Sequence, residues 1–418
     1  MKSLVYEYCT EMSKFILMKK HRRSFCIISA LCLIVIFFSQ CLNNTKPFND
    51  PRGKAFAGSA SCRQCHQAIY DSVLLSAHFN ATAPASKKNV YGNFNAGQNT
   101  FAYNEKTKVA MEERDSGLYQ VLYINGQEKE AYRFDITFGL RNAQTWLYWH
   151  DDKTYELPVS YYNSVHDWAT SPGFSATDPN FKRFIGKDCF ECHSSNIKSE
   201  LNASTEGITE VLVKNSLIYG IDCERCHGPA ATHVNYHVAH PEIKTAKYIT
   251  ANSSLNEQQK LDMCAVCHSG NDKMKIESRF KFRPGDTLAN FFMYGQDPAG
   301  TNDFDVHGNQ YKLMSESKCF LASKKMTCST CHDPHKDADA GVAFYSQKCM
   351  DCHSEAGHNF CPMATSMGAA IKSNCIDCHM PRKPSEAITF QLAGKPQISS
   401  YLLRTHRIAV YLAGEKKK

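Results

Sequence analysis

The sequence predicts a mainly α chain with little regular structure, organised around packed prosthetic groups, with one small antiparallel β segment. Three observations lead there. Cysteine is too frequent, 20 in 418 residues, for a chain whose thiols bind nothing. Glycine, proline and asparagine interrupt the stretch richest in these cysteines too often for long helices. Residues 119–125 (YQVLYIN) alternate apolar and polar up to Asn125-Gly126, and QEKEAYRFDITF follows. Alternation around Asn-Gly is a strong hairpin signal.

The cysteines are ordered. Seven C-x-x-C pairs occur: Cys62/Cys65, Cys189/Cys192, Cys223/Cys226, Cys264/Cys267, Cys328/Cys331, Cys349/Cys352 and Cys375/Cys378. Histidine follows each one: His66, His193, His227, His268, His332, His353 and His379. This is the attachment signature of c-type haem. Two thiols three positions apart add to the vinyl groups on one edge of a porphyrin, and the next histidine gives the iron its proximal nitrogen. The expected cofactor is haem c, seven copies, covalently attached. Structural zinc also uses C-x-x-C pairs, but it does not require histidine after every second cysteine. An odd number of pairs also divides badly into four-ligand sites.

The motifs are unevenly spread. The first stands alone and six crowd into residues 189–379. The chain therefore parses into a signal or anchor (1–40), a linker (41–58) and a first haem segment (59–94). A β-rich haem-free segment (95–186), a six-haem domain (187–390) and a C-terminal tail (391–418) with a candidate distal ligand follow. The core of the six-haem part is expected to be largely porphyrin, with neighbouring rings near contact.

The formal charge is +7, and much of it sits in residues 1–40. Two propionates on every haem turn the finished protein acidic. That excludes nucleic acid as a partner. Lys-Lys-His-Arg-Arg at 19–23 precedes the apolar run FCIISALCLIVIFF at 25–38. This reads as a secretory signal, with Met18 as a candidate true start, and is short for a spanning helix. Cys41 stands where a bacterial lipoprotein carries its lipid, although Gln40 departs from the usual small residue. An uncleaved membrane anchor is the alternative. Either route places the body on the periplasmic side of a bacterial membrane. In that oxidising setting the leftover Cys319 and Cys361 are expected to pair.

Ten histidines beyond residue 40 lie outside the motifs, so every iron could take a second imidazole. His78, His233, His307, His335 and His406 lead. His78 is roughly 18 Å along a helix from His66, so it should serve another haem. Asp333-Pro334 aims His335 away from its own iron, and Gly308 allows close approach beside His307. His233, His237 and His240 stand at i, i+4 and i+7 on one helix face between Pro229 and Pro241. In one reading only His233 is a ligand. In another, two of them ligate different haems; a zinc site is the third option. His358 ranks next, and His150 and His166 in the β segment last. No methionine stands out, so mostly bis-histidine, low-potential haems are expected.

ASCRQCHQAIYDSVLLSAH (60–78), ECHSSN (191–196), DCERCHGPAATHV (222–234), TCSTCHDPH (327–335) and CIDCHMPR (375–382) resemble the cytochrome c-554-like (cytochrome c-552/4 domain) group of multihaem cytochromes. The same superfamily holds hydroxylamine oxidoreductase and pentahaem nitrite reductase. LPVSYY…W…SPGF (157–174) is similar to a group of secreted multihaem proteins. The resemblance covers most of residues 58–409. It implies an array of parallel and perpendicular haem pairs, and distal roles for His78, His233, His307, His335 and His406. It carries over no catalytic residue. The nitrite reductase has lysine in its active-site motif, where all seven motifs here end in histidine, and the tyrosine crosslink of hydroxylamine oxidoreductase has no assignable position. The expected function is electron transfer along the haems between redox partner proteins, a membrane quinol-oxidising complex or other cytochromes. The alternative is an oxidoreductase acting on a small nitrogen or sulfur species at one haem with an open distal face.

Overall fold

Alternation around Asn125-Gly126 does fold as a hairpin, whose two loop residues adopt positive φ of 51° and 76°. Both signs are those of a type I′ turn, whose twist matches that of the flanking strands. The computed structural model describes residues 49–139, 142–205, 207–270, 274–293, 304–337, 341–357 and 360–411. The leader, Met18, Cys41 and His358 lie outside them.

The hairpin belongs to a larger β region. Its first strands are β1 (Thr82–Pro84), β2 (Thr100–Ala102), β3 (Thr107–Arg114), β4 (Gly117–Ile124), β5 (Gln127–Arg133) and β6 (Ile136–Phe138). Then come β7 (Ala143–His150), β8 (Lys153–Glu156), β9 (Val159–Tyr162), β10 (Asp167–Thr170) and β11 (Arg183–Ile185). Strands β2-β3-β4-β5 make one antiparallel sheet. A second sheet runs β1-β6-β7-β8-β11, with β9 also on β7 and β10 on β9.

Alternation places one face of each sheet inward. Phe101, Val109, Met111 and Leu122 meet Trp146, Tyr148, Leu157 and Trp168 in one buried cluster. Phe134 stacks on Trp146 at 4.7 Å between centroids. Gln120 ties the two sheets together: its buried Nε2 donates to Val159 O at 2.6 Å.

Two further hairpins lie beyond this region. β12 (Ser194–Ser204) pairs with β13 (Gly207–Tyr219), and β14 (Arg382–Gln391) pairs with β15 (Ile398–Arg404). They overturn the expectation of a mainly α chain, since 28% of the structure is helical and 29% is strand. The reason is local. Each attachment motif needs little more than one helical turn, so the helices, all of which among the described residues lie in the motif-bearing segments, stay short. The connecting segments then pair as strands. Residues 207–219 carry a period-two pattern (ITEVLVKN) that expectation of short helices concealed.

These hairpins fasten the motifs to the β region. Phe190, inside the second motif, packs with Ile136, Leu147, Ile197 and Leu212. Tyr162 and Ala169 pack with Phe390 and Tyr401 of the last hairpin.

Candidate haem sites

Each motif is wound as a single turn, which puts its two thiols on one face and its histidine one bond further on. His332 N donates to Cys328 O at 3.0 Å, His353 N to Cys349 O at 2.9 Å and His379 N to Cys375 O at 3.0 Å. The second motif ends the helix Lys187–His193. The third is the helix Cys223–His227, capped by Asp222 and closed by Gly228 at φ 78°. The fourth ends the helix Glu257–His268, which opens with an Asn256/Gln259 capping box. In the first, the helix Ser59–Val73 breaks at His66 (φ −116°, ψ 38°), which turns the ring out of the helical register.

Buried charge joins apolar packing in holding these turns; Ala265 and Val266 of the fourth motif pack with Phe282, Leu288 and Phe292. Glu224 lies between Cys223 and Cys226. Its carboxylate accepts from Ala57 N, Gly58 N and Ala230 N, each at 2.8 Å. Arg52 bridges it to Asp50 and Asp222. The first motif is thereby sewn to the third. Glu191, fully buried between Cys189 and Cys192, accepts from Ser278 Oγ at 2.5 Å and Lys275 Nζ at 3.1 Å. Arg225 Nη2 donates to Glu191 O at 3.2 Å, joining the third motif to the second. Sequence reasoning passed over these three residues. The available signal was an acid or arginine in the variable positions of a motif that has no chemical need of one.

Motif histidines meet histidines from outside the motifs. His66 and His233 lie 6.5 Å apart between ring centroids, 16° from parallel. His268 and His78 are 6.1 Å apart and near perpendicular. His227 and His335 are 5.9 Å apart at 10°, and His332 and His406 are 6.2 Å apart at 30°. Two imidazoles bonded to opposite faces of one iron at about 2 Å each have centroids about 6.3 Å apart. All four spacings accommodate an iron between the rings. His307 is close enough to His193 to act on it electrostatically.

Burial pushes His78, His193 and His406 down to about 4, with neighbouring imidazoles adding to the effect. At neutral pH they are uncharged, the form that binds a metal. His78 and His332 keep accessible surface in the protein alone, as a residue lining a haem slot must. Several rings also have the orienting hydrogen bond that ligands need: His233 Nδ1 meets Lys247 O at 2.8 Å, and His379 Nδ1 meets Ala409 O at 2.9 Å. Asp305 ties the His307 loop to β14, accepting from Ala387 N at 2.8 Å and Ser385 Oγ at 3.1 Å.

The attachment thiols of different motifs also lie near one another. Cys62 hydrogen-bonds Cys223, Cys192 bonds Cys267, Cys264 bonds Cys328, and Cys349 bonds Cys375. Cys226 is within electrostatic reach of Cys267, and Cys331 of Cys349. All seven motifs thus form one connected set. Its order in space is first, third, fourth, fifth, sixth, seventh, with the second joined at the fourth.

Five of the attachment thiols, Cys65, Cys189, Cys226, Cys352 and Cys378, are exposed, and the other nine are half-buried. The spacing of each pair gives it the form of an attachment site.

Other candidates fall elsewhere. His150 is exposed at the end of β7, and His166 is an exposed turn residue at φ 51°. His240 pairs with Glu242 at 3.6 Å. Cys319 and Cys361 are separate thiols, not a disulfide. Cys319 instead stands within electrostatic reach of Cys331, Cys349 and Cys352, a neighbourhood that only the fold creates.

The family described as cytochrome c554 and c-prime matches residues 160–228, which hold the second and third motifs. Multiheme cytochrome MtrA of Shewanella baltica is 25% identical over 180 residues, 40% of this chain and 52% of that protein. Dissimilatory sulfite reductase MccA of Wolinella succinogenes is 24% identical over 223 residues, 46% of this chain and 27% of that protein. The chain therefore spans about half the length of the first relative and about a quarter of the second. The crystal structure of outer cell wall cytochrome OcwA is similar in fold, with a TM-score of 0.50 and 15% identity, covering 85% of this chain and 79% of that one.

Proposed function

We propose, from the premise that the chain is a multihaem c-type cytochrome, that it carries seven covalent haems and passes electrons along them. Bound haem supplies one-electron chemistry whose potential is set by axial ligands and burial. The observation that supports the reading is the succession of neighbouring attachment thiols, four links by side-chain interaction and two within electrostatic reach, which leaves no motif isolated. Neighbouring thioether sulfurs bring porphyrin edges near one another, and short edge distances are what fast transfer needs.

The axial pairs in this reading are His66/His233, His193/His307, His227/His335, His268/His78 and His332/His406. The ring spacing of four of these pairs, the lowered pKa of His78, His193 and His406, and the orienting hydrogen bond on His233 support the assignment. The chain's own residues do positioning work: Glu191, Glu224 and Arg225 hold the attachment turns, and Asp305 holds the His307 loop. The protein is exported and acts on the periplasmic side of a bacterial membrane, held by a lipid on Cys41 or by an uncleaved N-terminal segment. Its partners are redox proteins, a quinol-oxidising complex or other cytochromes.

Intact mass should show seven haems. EPR of the oxidised protein should show low-spin signals that nitrite and hydroxylamine leave unchanged. Fewer haems, or a high-spin signal that shifts with either compound, would reject the corresponding part of the reading. Mass spectrometry of the mature N-terminus should find a modified Cys41 or the retained leader.

A second reading, catalysis on a small nitrogen or sulfur species, needs an iron with one open face. His379 is the place to look. Its Nδ1 is fixed by Ala409 O, and among the described residues no second histidine ring stands at ligand spacing from it. A ligand-sensitive high-spin signal removed by His379→Ala would favour this reading.

A further inference from the structure

The helix Ala231–Ala239 carries one imidazole that the function above leaves unused. His237 follows His233 by one turn, and their ring centroids are 4.6 Å apart. Both rings are held alike by one return segment: His233 Nδ1 by Lys247 O at 2.8 Å and His237 Nδ1 by Ile243 O at 3.2 Å. A carbonyl oxygen only accepts, so Nδ1 carries the proton in each ring and Nε2 keeps its lone pair. That is the tautomer of a metal-ligating histidine. His237 Nε2 is buried and has no protein hydrogen-bond partner, and a buried polar atom in that state calls for a partner of another kind. His240, the third of the series, is exposed and engaged by Glu242, so the arrangement is particular to the first two.

We infer that His237 is an alternative sixth ligand to the iron held by His66, exchangeable with His233. The inference rests on the reading of His66 and His233 as an axial pair. An iron between those rings has His237 beside its distal position, one ring spacing away. The helix that would move has no buried residue, and the edge contact of Tyr236 with Tyr248, at 5.2 Å between centroids, is the ring contact a slide of that size would have to shift. The exchange breaks one iron–Nε2 bond and forms another, with no electron or proton gained or lost. Both states are bis-histidine and low-spin, with different ring orientations and hence different potentials.

The test uses the full-length holoprotein, with haem content of each variant checked by mass. His233→Ala should remain low-spin at every haem, with one haem shifted in EPR g-values and midpoint potential. His237→Ala should also remain low-spin. The double variant should make one haem in seven high-spin, and added imidazole should restore that haem, which distinguishes an open ligand position from a collapsed site. A high-spin haem in His233→Ala alone, equal to that of the double variant, would overturn the exchange and leave the axial pair standing. A high-spin haem in His237→Ala alone would make His237 the resident ligand and overturn both. Low-spin spectra in all three variants would likewise end both.

Discussion

The β region and the motif-bearing region solve the same problem with opposite materials. Between the two sheets, Phe101, Met111, Trp146 and Leu157 are fully buried in a continuous apolar core. Around the attachment turns the buried side chains include Glu191, Glu224, Arg225, Asp222 and Arg279. A protein core can be filled by side chains alone. Slots for flat rings leave less apolar protein for the task, and beside the apolar cluster of Val266, Phe282 and Phe292, ion clusters with several hydrogen bonds each help to fix the turns. Such clusters are geometrically exacting, which suits a region whose work depends on spacing.

The comparison can be broken from either side. The largest effect is expected from Trp146→Ala, which empties the middle of the β core and should cost about 3–5 kcal/mol. Chemical denaturation followed by circular dichroism should show the loss, while the haem absorption bands stay as they were. A shifted haem spectrum with unchanged stability would mean that the two regions are not distinct. Glu224→Ala probes the other side. It leaves three backbone N–H groups without their acceptor, while Arg52 keeps Asp50 and Asp222, and each buried donor left unsatisfied costs about 1–3 kcal/mol. Here the EPR signals of the first and third haems should move first; intact signals would show that the thioether links suffice.

Glu156 gives the β region a pH signature. Burial raises its carboxyl to about 7 against the opposing pull of Arg183, from an ordinary value of 4.5. Between those values the folded state holds a proton that the unfolded chain has released, so stability should fall as pH rises through the window. The whole drop is about 3 kcal/mol. Glu156→Gln should flatten that slope, and an unchanged slope would place the effect elsewhere. The smallest change is Gly126→Ala, whose positive φ makes any side chain unfavourable by about 1 kcal/mol. It should lower the denaturation midpoint slightly and leave every haem signal alone.

The hairpin at Asn125-Gly126 and the seven motifs were legible because their information is local. A type I′ turn needs φ > 0 at two neighbouring positions. A haem attachment turn needs two thiols and a histidine within five residues. The hairpins Ser194–Tyr219 and Arg382–Arg404 were not legible on the same terms. Their strands lie between motifs, where apolar residues face slots as well as protein, and the period-two signal is diluted. β14 also contains Pro384 and a register shift before Thr389, both of which argue against a strand in the sequence alone. Exposure escaped the sequence too: Cys65, Cys189, Cys226, Cys352 and Cys378 are exposed and carry the same local signature as the half-buried thiols.

By itself the sequence pointed to haem c and to the positions proposed for its attachment and proximal ligation, because each follows from neighbours along the chain. Only the tertiary structure decided which histidine stands opposite which. It sets His78 against His268, His335 against His227 and His406 against His332, across sequence distances that no periodicity spans. It also decided that Glu224 binds the first motif to the third, and that His237 keeps a buried, unpartnered nitrogen. The physical reason is range: covalent geometry and helical turns act over a few residues. Opposing ligands and buried charges are brought together by the packing of segments that share no local rule.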